Sequence, residues 1–159
     1  MLKAYQHTTP TFLCRLTKNE PVDCILVSES WLKPSLPSAL YSISNFNLIR
    51  NDRVNKRGGG VCIYLKTDIS YKILQHSPNE YSASLEYLFL KINCRHTKLL
   101  LGVVYSTSMN INYFHNFKIV LENLVSSYEH TIIMGDLNTC LLKQDSRAKR
   151  LHTIFSDVF

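Results

Sequence analysis

The chain switches between two hydrophobic periods. Residues 60–66, "GVCIYLK", alternate, so Val61, Ile63 and Leu65 fall on one face of a β-strand. "DCILVSES" (23–30) is a short apolar run of the kind a buried strand makes. "ISYKIL" (69–74), "EYLFLKIN" (86–93), "KLLLGVVY" (98–105) and "TIIM" (131–134) read as further strands. In "NYFHNFKIVLENLVSSY" (112–128) the period lengthens. Phe114, Phe117, Leu121 and Leu124 share one side of an amphipathic helix. "AKRLHTIFSDVF" (148–159) repeats that pattern with Leu151, Ile154, Phe155 and Val158. Near the start, Thr9 and Pro10 suit an N-cap and a first helical position, with Phe12, Leu13 and Leu16 as a short stripe. "WLKPSLPSAL" (31–40) carries two prolines and reads as a loop. Consecutive strands joined by short turns, followed by helix, strand and helix, predict an α/β domain with mixed sheets.

Composition narrows this picture. The 159 residues suit one domain, and 45% are apolar, enough for a core and too many for a disordered chain. No run approaches the roughly 20 apolar residues of a membrane helix. The first residues lack the basic head and apolar stretch of a secretory signal, so an intracellular protein with no membrane contact is expected. The five cysteines, Cys14, Cys24, Cys62, Cys94 and Cys140, form no CxxC pair, which speaks against a zinc knuckle. Cys24 and Cys62 lie in apolar runs and read as buried thiols. A net charge of +6 favours a polyanionic partner, nucleic acid first, although a solubilising surface explains it as well.

Candidate chemistry sits where strands end. Glu29 stands at the carboxyl end of "CILVS", where ligands of α/β sheets collect, and a carboxylate there can hold a hard cation such as Mg²⁺. A solvated loop glutamate is the plainer alternative. Asp136 and Asn138 follow "TIIMG" two residues apart. An aspartate can orient or deprotonate a water, and an asparagine can donate to a phosphate oxygen without adding repulsive charge. The same pair can also close an Asx turn. The "RGGGVCIYLK" segment (57–66) is no phosphate loop, because its glycines precede a strand and no GK[ST] follows; a turn or bulge entering the strand fits it. Arg50, Arg53, Lys56 and Arg57 crowd the preceding loop and could touch a nucleic-acid backbone or simply be solvated. Tyr105 ends its strand and could bind phosphate or pack. The six histidines, His7, His76, His96, His115, His130 and His152, fall in no ligand or triad spacing. His130 and Asp136 flank the same strand and would stand roughly 20 Å apart.

Taken in order, "DCILVSESWL", "RNDRVNKRGGGVCIYLK", "LLLGVVY" and "IIMGDLN" resemble the endonuclease/exonuclease/phosphatase superfamily, and within it the endonuclease domain of non-LTR retrotransposons. The resemblance runs from about residue 20 to 142. It implies a DNase I-like sandwich of two mixed sheets flanked by helices, and Mg²⁺- or Mn²⁺-dependent cleavage of DNA phosphodiesters. It makes Glu29 the metal-binding glutamate and Asp136 the residue that orients or activates water. It makes Asn138 a holder of the phosphate and Tyr105 a contact of the scissile phosphate. Arg50, Asp52 and Arg53 would shape a loop and touch the DNA backbone. It further implies a reverse transcriptase domain in the full-length protein, with the nucleus as one place of work. Three features depart from the subgroup. Its first strand, which carries an Asn of the metal site, is expected at or before Met1. Its Ser-Asp-His-like motif has no counterpart before Phe159. The prolines usual after the tyrosine are absent from "YSTS". A domain incomplete at both ends is therefore expected, with activity impaired or lost. The alternatives are a non-catalytic nucleic-acid-binding remnant or a gene-model fragment.

Overall fold

Two four-stranded sheets packed face to face form the frame in the computed structural model, which describes residues 2–6, 21–81, 85–94, 97–106 and 113–159. The strands are β1 (Leu2–Gln6), β2 (Cys24–Ser28), β3 (Phe46–Asn51), β4 (Val61–Lys66), β5 (Tyr71–His76), β6 (Leu85–Asn93), β7 (Lys98–Ser106) and β8 (His130–Asp136). The helices are α1 (Tyr113–Val125) and α2 (Ser146–Val158), with a 3₁₀ turn at Ser38–Tyr41. The first sheet runs in the order β1-β2-β4-β3 and the second β5-β6-β7-β8. Each sheet has one parallel pair, β1 with β2 and β7 with β8; its other pairs are antiparallel. The fold is a two-sheet α/β sandwich, the class read from the sequence.

Period-2 alternation decides which residues meet between the sheets. Leu26, Ile63 and Leu65 of the first sheet face Leu88, Leu90, Leu101 and Val103 of the second, all buried. The opposite parity of the second sheet, Phe89, Leu100 and Val104, packs under α1 and α2 through Phe114, Phe117, Leu121, Leu151 and Ile154. Phe89 and Phe117 stack with centroids 6.4 Å apart. The helices are joined at their surface by Lys118 Nζ and Asp157 Oδ2, 2.6 Å apart. Asp145 caps α2, its carboxylate accepting from the Ala148 amide at 2.9 Å. The outer face of the first sheet is also apolar: Ile25, Val27, Cys62 and Tyr64 are buried against Val22, Leu32 and Ile43. Cys62 and Cys24 are buried thiols as expected, and Cys94 and Cys140 are exposed.

Two strands were not anticipated. β3 lies in a stretch, FNLIRN, whose apolar pattern is broken on both faces by Asn47, Arg50 and Asn51. Asn51 nevertheless faces inward, where its amide donates to the Ser77 hydroxyl at 2.9 Å and to the carbonyls of Ser77 and Tyr87. Arg50 is correspondingly a strand residue and not part of the loop after it. β1 is the other: Leu2–Gln6, which contains no Asn, pairs in parallel with Cys24–Ser28, Gln6 beside Ser28. The expected helix after Thr9-Pro10 falls outside the described residues, as do His7, Cys14 and His96. Among the described residues no helix is long and apolar enough to cross a membrane.

Candidate active site at the mouth of the sandwich

Sheet register brings the singled-out residues to one end of the sandwich. Tyr105 on β7 pairs with Glu86 on β6 and with Asp136 on β8. All three continue the inward-facing parity of Leu88, Val103 and Met134, so they form a polar row where the apolar interior stops. Across from it, Ser28, Val61 and Asn51 make the matching row of the first sheet, and Glu29 follows Ser28. The two rows meet at Tyr105, whose phenol lies within reach of the Glu29 carboxylate. Burial first, and then the nearby Glu29 carboxylate, hold the Tyr105 phenol well above the usual tyrosine range.

The three-glycine turn holds Glu29 in place. Gly58, Gly59 and Gly60 all have positive φ, at +81°, +71° and +77°. This is the conformation glycine adopts without steric penalty. The carbonyls of Gly60 and Gly59 accept the amides of Ser30 and Trp31, both at 2.9 Å. Glu29 and Trp31 themselves sit at φ +57° and +59°. For such side chains this is an unfavourable backbone, of the kind found at functional sites. A Cβ on Gly58 would lie 3.8 Å from Glu29 Oε1, so the glycine leaves open space beside the carboxylate. The turn therefore serves as an anchor for the Glu29 loop, consistent with rejecting a phosphate cradle.

Glu86 was overlooked in the sequence, although its inward register among Leu88, Leu90 and Ile92 is a signal for it. Its carboxylate accepts from Arg53 Nε and, at 2.7 Å, from the Gly60 amide. Arg53 is itself buried, lying over the ring of Tyr105 with its guanidinium carbon 5.8 Å from the centroid. This buried pair links β6 of the second sheet to the turn that fixes Glu29 in the first.

Asp136 and Asn138 form the Asx turn that local chemistry offered. The Asn138 amide donates to Asp136 Oδ1 at 2.7 Å, an Asx turn, and Asn138 has φ +48°. Its side-chain amide donates to the Ser106 carbonyl at 2.6 Å, which ties the end of β8 to the end of β7. Arg147 of α2, also unforeseen, braces this loop. It is buried, and it donates to Leu137 O at 2.8 Å, to Ser106 Oγ at 3.0 Å and to the Thr139 hydroxyl. Its position four residues before Leu151 on the apolar side of the helix is the clue the sequence contained.

The four basic candidates divide. Arg50 joins β3 to the proline loop, donating to Lys33 O at 2.6 Å, Leu36 O at 2.9 Å, Ser38 Oγ at 3.1 Å and the Asp52 carboxylate. Arg53 is interior. Lys56 and Arg57 are exposed. They line a cleft of about 670 Å³ next to Glu29 that also contains Trp31 and Lys33. A second cavity, about 480 Å³, opens at the far end of the sandwich between Cys24, Leu65, Ile69, Ile92 and Leu101, away from every candidate residue. His130 begins β8 and Asp136 ends it, so that histidine stands apart from the site.

The Endonuclease/Exonuclease/phosphatase family profile matches residues 6–154. The chain belongs to that family. No curated protein matches the sequence. Among solved structures, the AP endonuclease LMAP from Leishmania major superposes with TM-score 0.67 and 14% identity, over 98% of this chain and 64% of that one. The endonuclease domain of TRAS1, a telomere-specific non-LTR retrotransposon, gives TM-score 0.63 and 13% identity over 94% and 63%. TDP2 of D. rerio, complexed with a single-strand DNA product, gives 0.61 and 15% over 95% and 63%. The chain thus spans a little under two thirds of the length of each of these structures. At such identities the likeness is one of fold.

Family membership raises the question of a divalent cation. Among the described residues no three His, Cys, Asp or Glu side chains gather as a closed ligand set. Mg²⁺ needs none, since it commonly takes one or two carboxylates and fills its other positions with water and substrate phosphate. Glu29 supplies such a hard oxygen at a strand mouth, and the missing side chain of Gly58 leaves room beside it. The residues fit such an ion.

Proposed function

We propose that this chain carries the active site of a divalent-cation-dependent phosphodiesterase that cuts DNA in the manner of a retroelement endonuclease. The observation that carries the reading is the meeting of Glu29, Tyr105, Asp136 and Asn138 at one mouth of the sandwich, from three strands distant in sequence. Asp136 keeps Oδ1 on the Asn138 amide, which leaves Oδ2 to accept a proton from an attacking water. Asn138 uses one side-chain hydrogen on Ser106 and can turn the other to a phosphate oxygen. Tyr105, protonated across the physiological range, has one hydroxyl hydrogen, which it shares with Glu29 and can turn to a phosphate oxygen once a cation takes up that carboxylate. A Mg²⁺ or Mn²⁺ ion held at Glu29 would neutralise phosphate charge as the P–O bond breaks.

Supercoiled plasmid nicking in Mg²⁺ or Mn²⁺ tests this. Asp136→Ala should lower the rate by about 10²–10⁴-fold, the usual effect of losing a general base. Glu29→Ala should raise the cation concentration required and reduce the rate. Nicking that survives both substitutions refutes the assignment. Salt-sensitive DNA binding without nicking by the parent chain would support the alternative, a nucleic-acid-binding remnant.

A further inference from the structure

We infer that the cleft beside Glu29 is a subsite for one unpaired nucleotide, so that the DNA this chain engages is single-stranded or locally opened next to the phosphate at Glu29. The inference rests on the proposed function only for the position of that phosphate. Lys33, Arg53, Lys56 and Arg57 line the cleft, and its described lining holds no Asp or Glu, which suits a phosphodiester strand. The wall is aromatic as well as basic. Arg57 lies over the Trp31 ring with its guanidinium carbon 5.3 Å from the centroid. Just beyond, the Tyr81 ring carries Lys56 Nζ at 3.8 Å and Arg53 at 4.9 Å. Basic side chains interleaved with aromatic rings, in a groove wide enough for a nucleotide, are the means by which proteins stack bases while holding the backbone; a base would take the place of the cation over the ring.

Trp31 is also placed for this use. A Cβ on Gly58 would meet Trp31 Cε2 at 3.7 Å and Glu29 Oε1 at 3.8 Å, so the indole and the carboxylate border one space. The Trp31 backbone sits at φ +59° with its amide bonded to Gly59 O, which anchors the residue beside Glu29. A base inside a duplex has both faces covered by its stacked neighbours. It can reach a side-chain ring only when unpaired or displaced from the stack. Intact duplex would meet only the cations here. The aromatic wall is therefore explained by unpaired nucleotides and superfluous for duplex.

Trp31 is the single tryptophan of the chain, so its fluorescence reports on this cleft directly. The parent chain, kept in EDTA to prevent cutting, is titrated with a short oligothymidylate and, separately, with a blunt duplex of the same length. Single strand should quench Trp31 strongly and duplex weakly. In anisotropy titrations Trp31→Ala should weaken single-strand binding by about 5–100-fold, the range of one base–aromatic stack, and change duplex binding little. Trp31→Phe keeps a ring and should retain most of the affinity, which separates stacking from loss of fold. Lys56→Ala with Arg57→Ala should weaken both ligands and flatten the salt dependence. Absence of quenching by single strand, equal quenching by duplex, or unchanged single-strand affinity in Trp31→Ala would overturn the subsite. Plasmid nicking without quenching would remove the subsite and leave the catalytic reading. Quenching without nicking would do the reverse.

Discussion

Removing the Glu86 carboxylate tests how the two sheets hold the site together. Its side chain is 10% exposed and that of Arg53 3%, so the ion pair lies in the interior. Glu86→Ala leaves a buried guanidinium whose Nη2 already lacks a hydrogen-bond partner, and it also strips the Gly60 amide. Breaking a buried pair by deleting one member costs about 3–5 kcal/mol. An unmet buried amide costs about 1–3 kcal/mol, but both losses come from one carboxylate and do not add in full. Glu86→Ala should therefore destabilise by about 3–5 kcal/mol, a large part of the roughly 5–15 kcal/mol of a typical domain. Glu86→Gln keeps an acceptor and should lose less, about 1.5–3 kcal/mol. The double change Glu86→Leu with Arg53→Met removes both charges and should be more stable than Glu86→Ala. Urea denaturation read by circular dichroism gives each value. A Glu86→Ala chain within about 1 kcal/mol of the parent, or a double variant as unstable as the two single losses summed, would refute the buried-pair reasoning. A functional arm separates fold from positioning. Because Gly59 and Gly60 hold the Glu29 loop, Glu86→Gln should raise the Mg²⁺ concentration for half-maximal nicking; an unchanged requirement would mean that Glu86 supports the fold without positioning Glu29.

Three further outcomes follow from burial and backbone geometry. Burial pushes the Cys24 and Cys62 thiols from 9.0 up to about 12. Above pH 9 the unfolded chain sheds these protons while the native one keeps them, so each thiol lowers stability by about 1.4 kcal/mol per pH unit. Cys62→Ala should flatten the decline measured by denaturant melts between pH 9 and 10, and an unaltered slope would count against it. Tyr105 ionises late, so Tyr105→Phe should remove a late step, not an early one, from the phenolate absorbance titration. Gly59→Ala would set a Cβ 2.0 Å from the Arg53 guanidinium carbon, whereas Gly58→Ala meets only ordinary contacts. Both incur the left-handed backbone penalty of roughly 1–2 kcal/mol, and Gly59→Ala should lose clearly more; equal losses in melting experiments would show that the Arg53 contact is slack.

The local pattern of the chain was enough for most elements and for half of the site. Alternation in 60–66 and the apolar runs before Glu29, Tyr105 and Asp136 specify β4, β2, β7 and β8, because side-chain period depends only on nearby backbone geometry. The chemical types at the strand ends singled out Glu29, Asp136 and Asn138. What periodicity cannot carry is a polar residue whose partner is remote. Asn51 breaks the pattern of β3 and is satisfied by Ser77 and Tyr87, 26 and 36 residues onward. Glu86 finds Arg53 across 33 residues, and Arg147 finds Ser106 across 41. The same holds for the backbone at Glu29 and Trp31, whose left-handed conformation is imposed by the glycine turn on another strand. Sequence alone determined which segments are strands and helices and which strand ends bear reactive groups. Tertiary structure decided which of those ends share a mouth, because strand register and sheet packing set distances that no local spacing encodes.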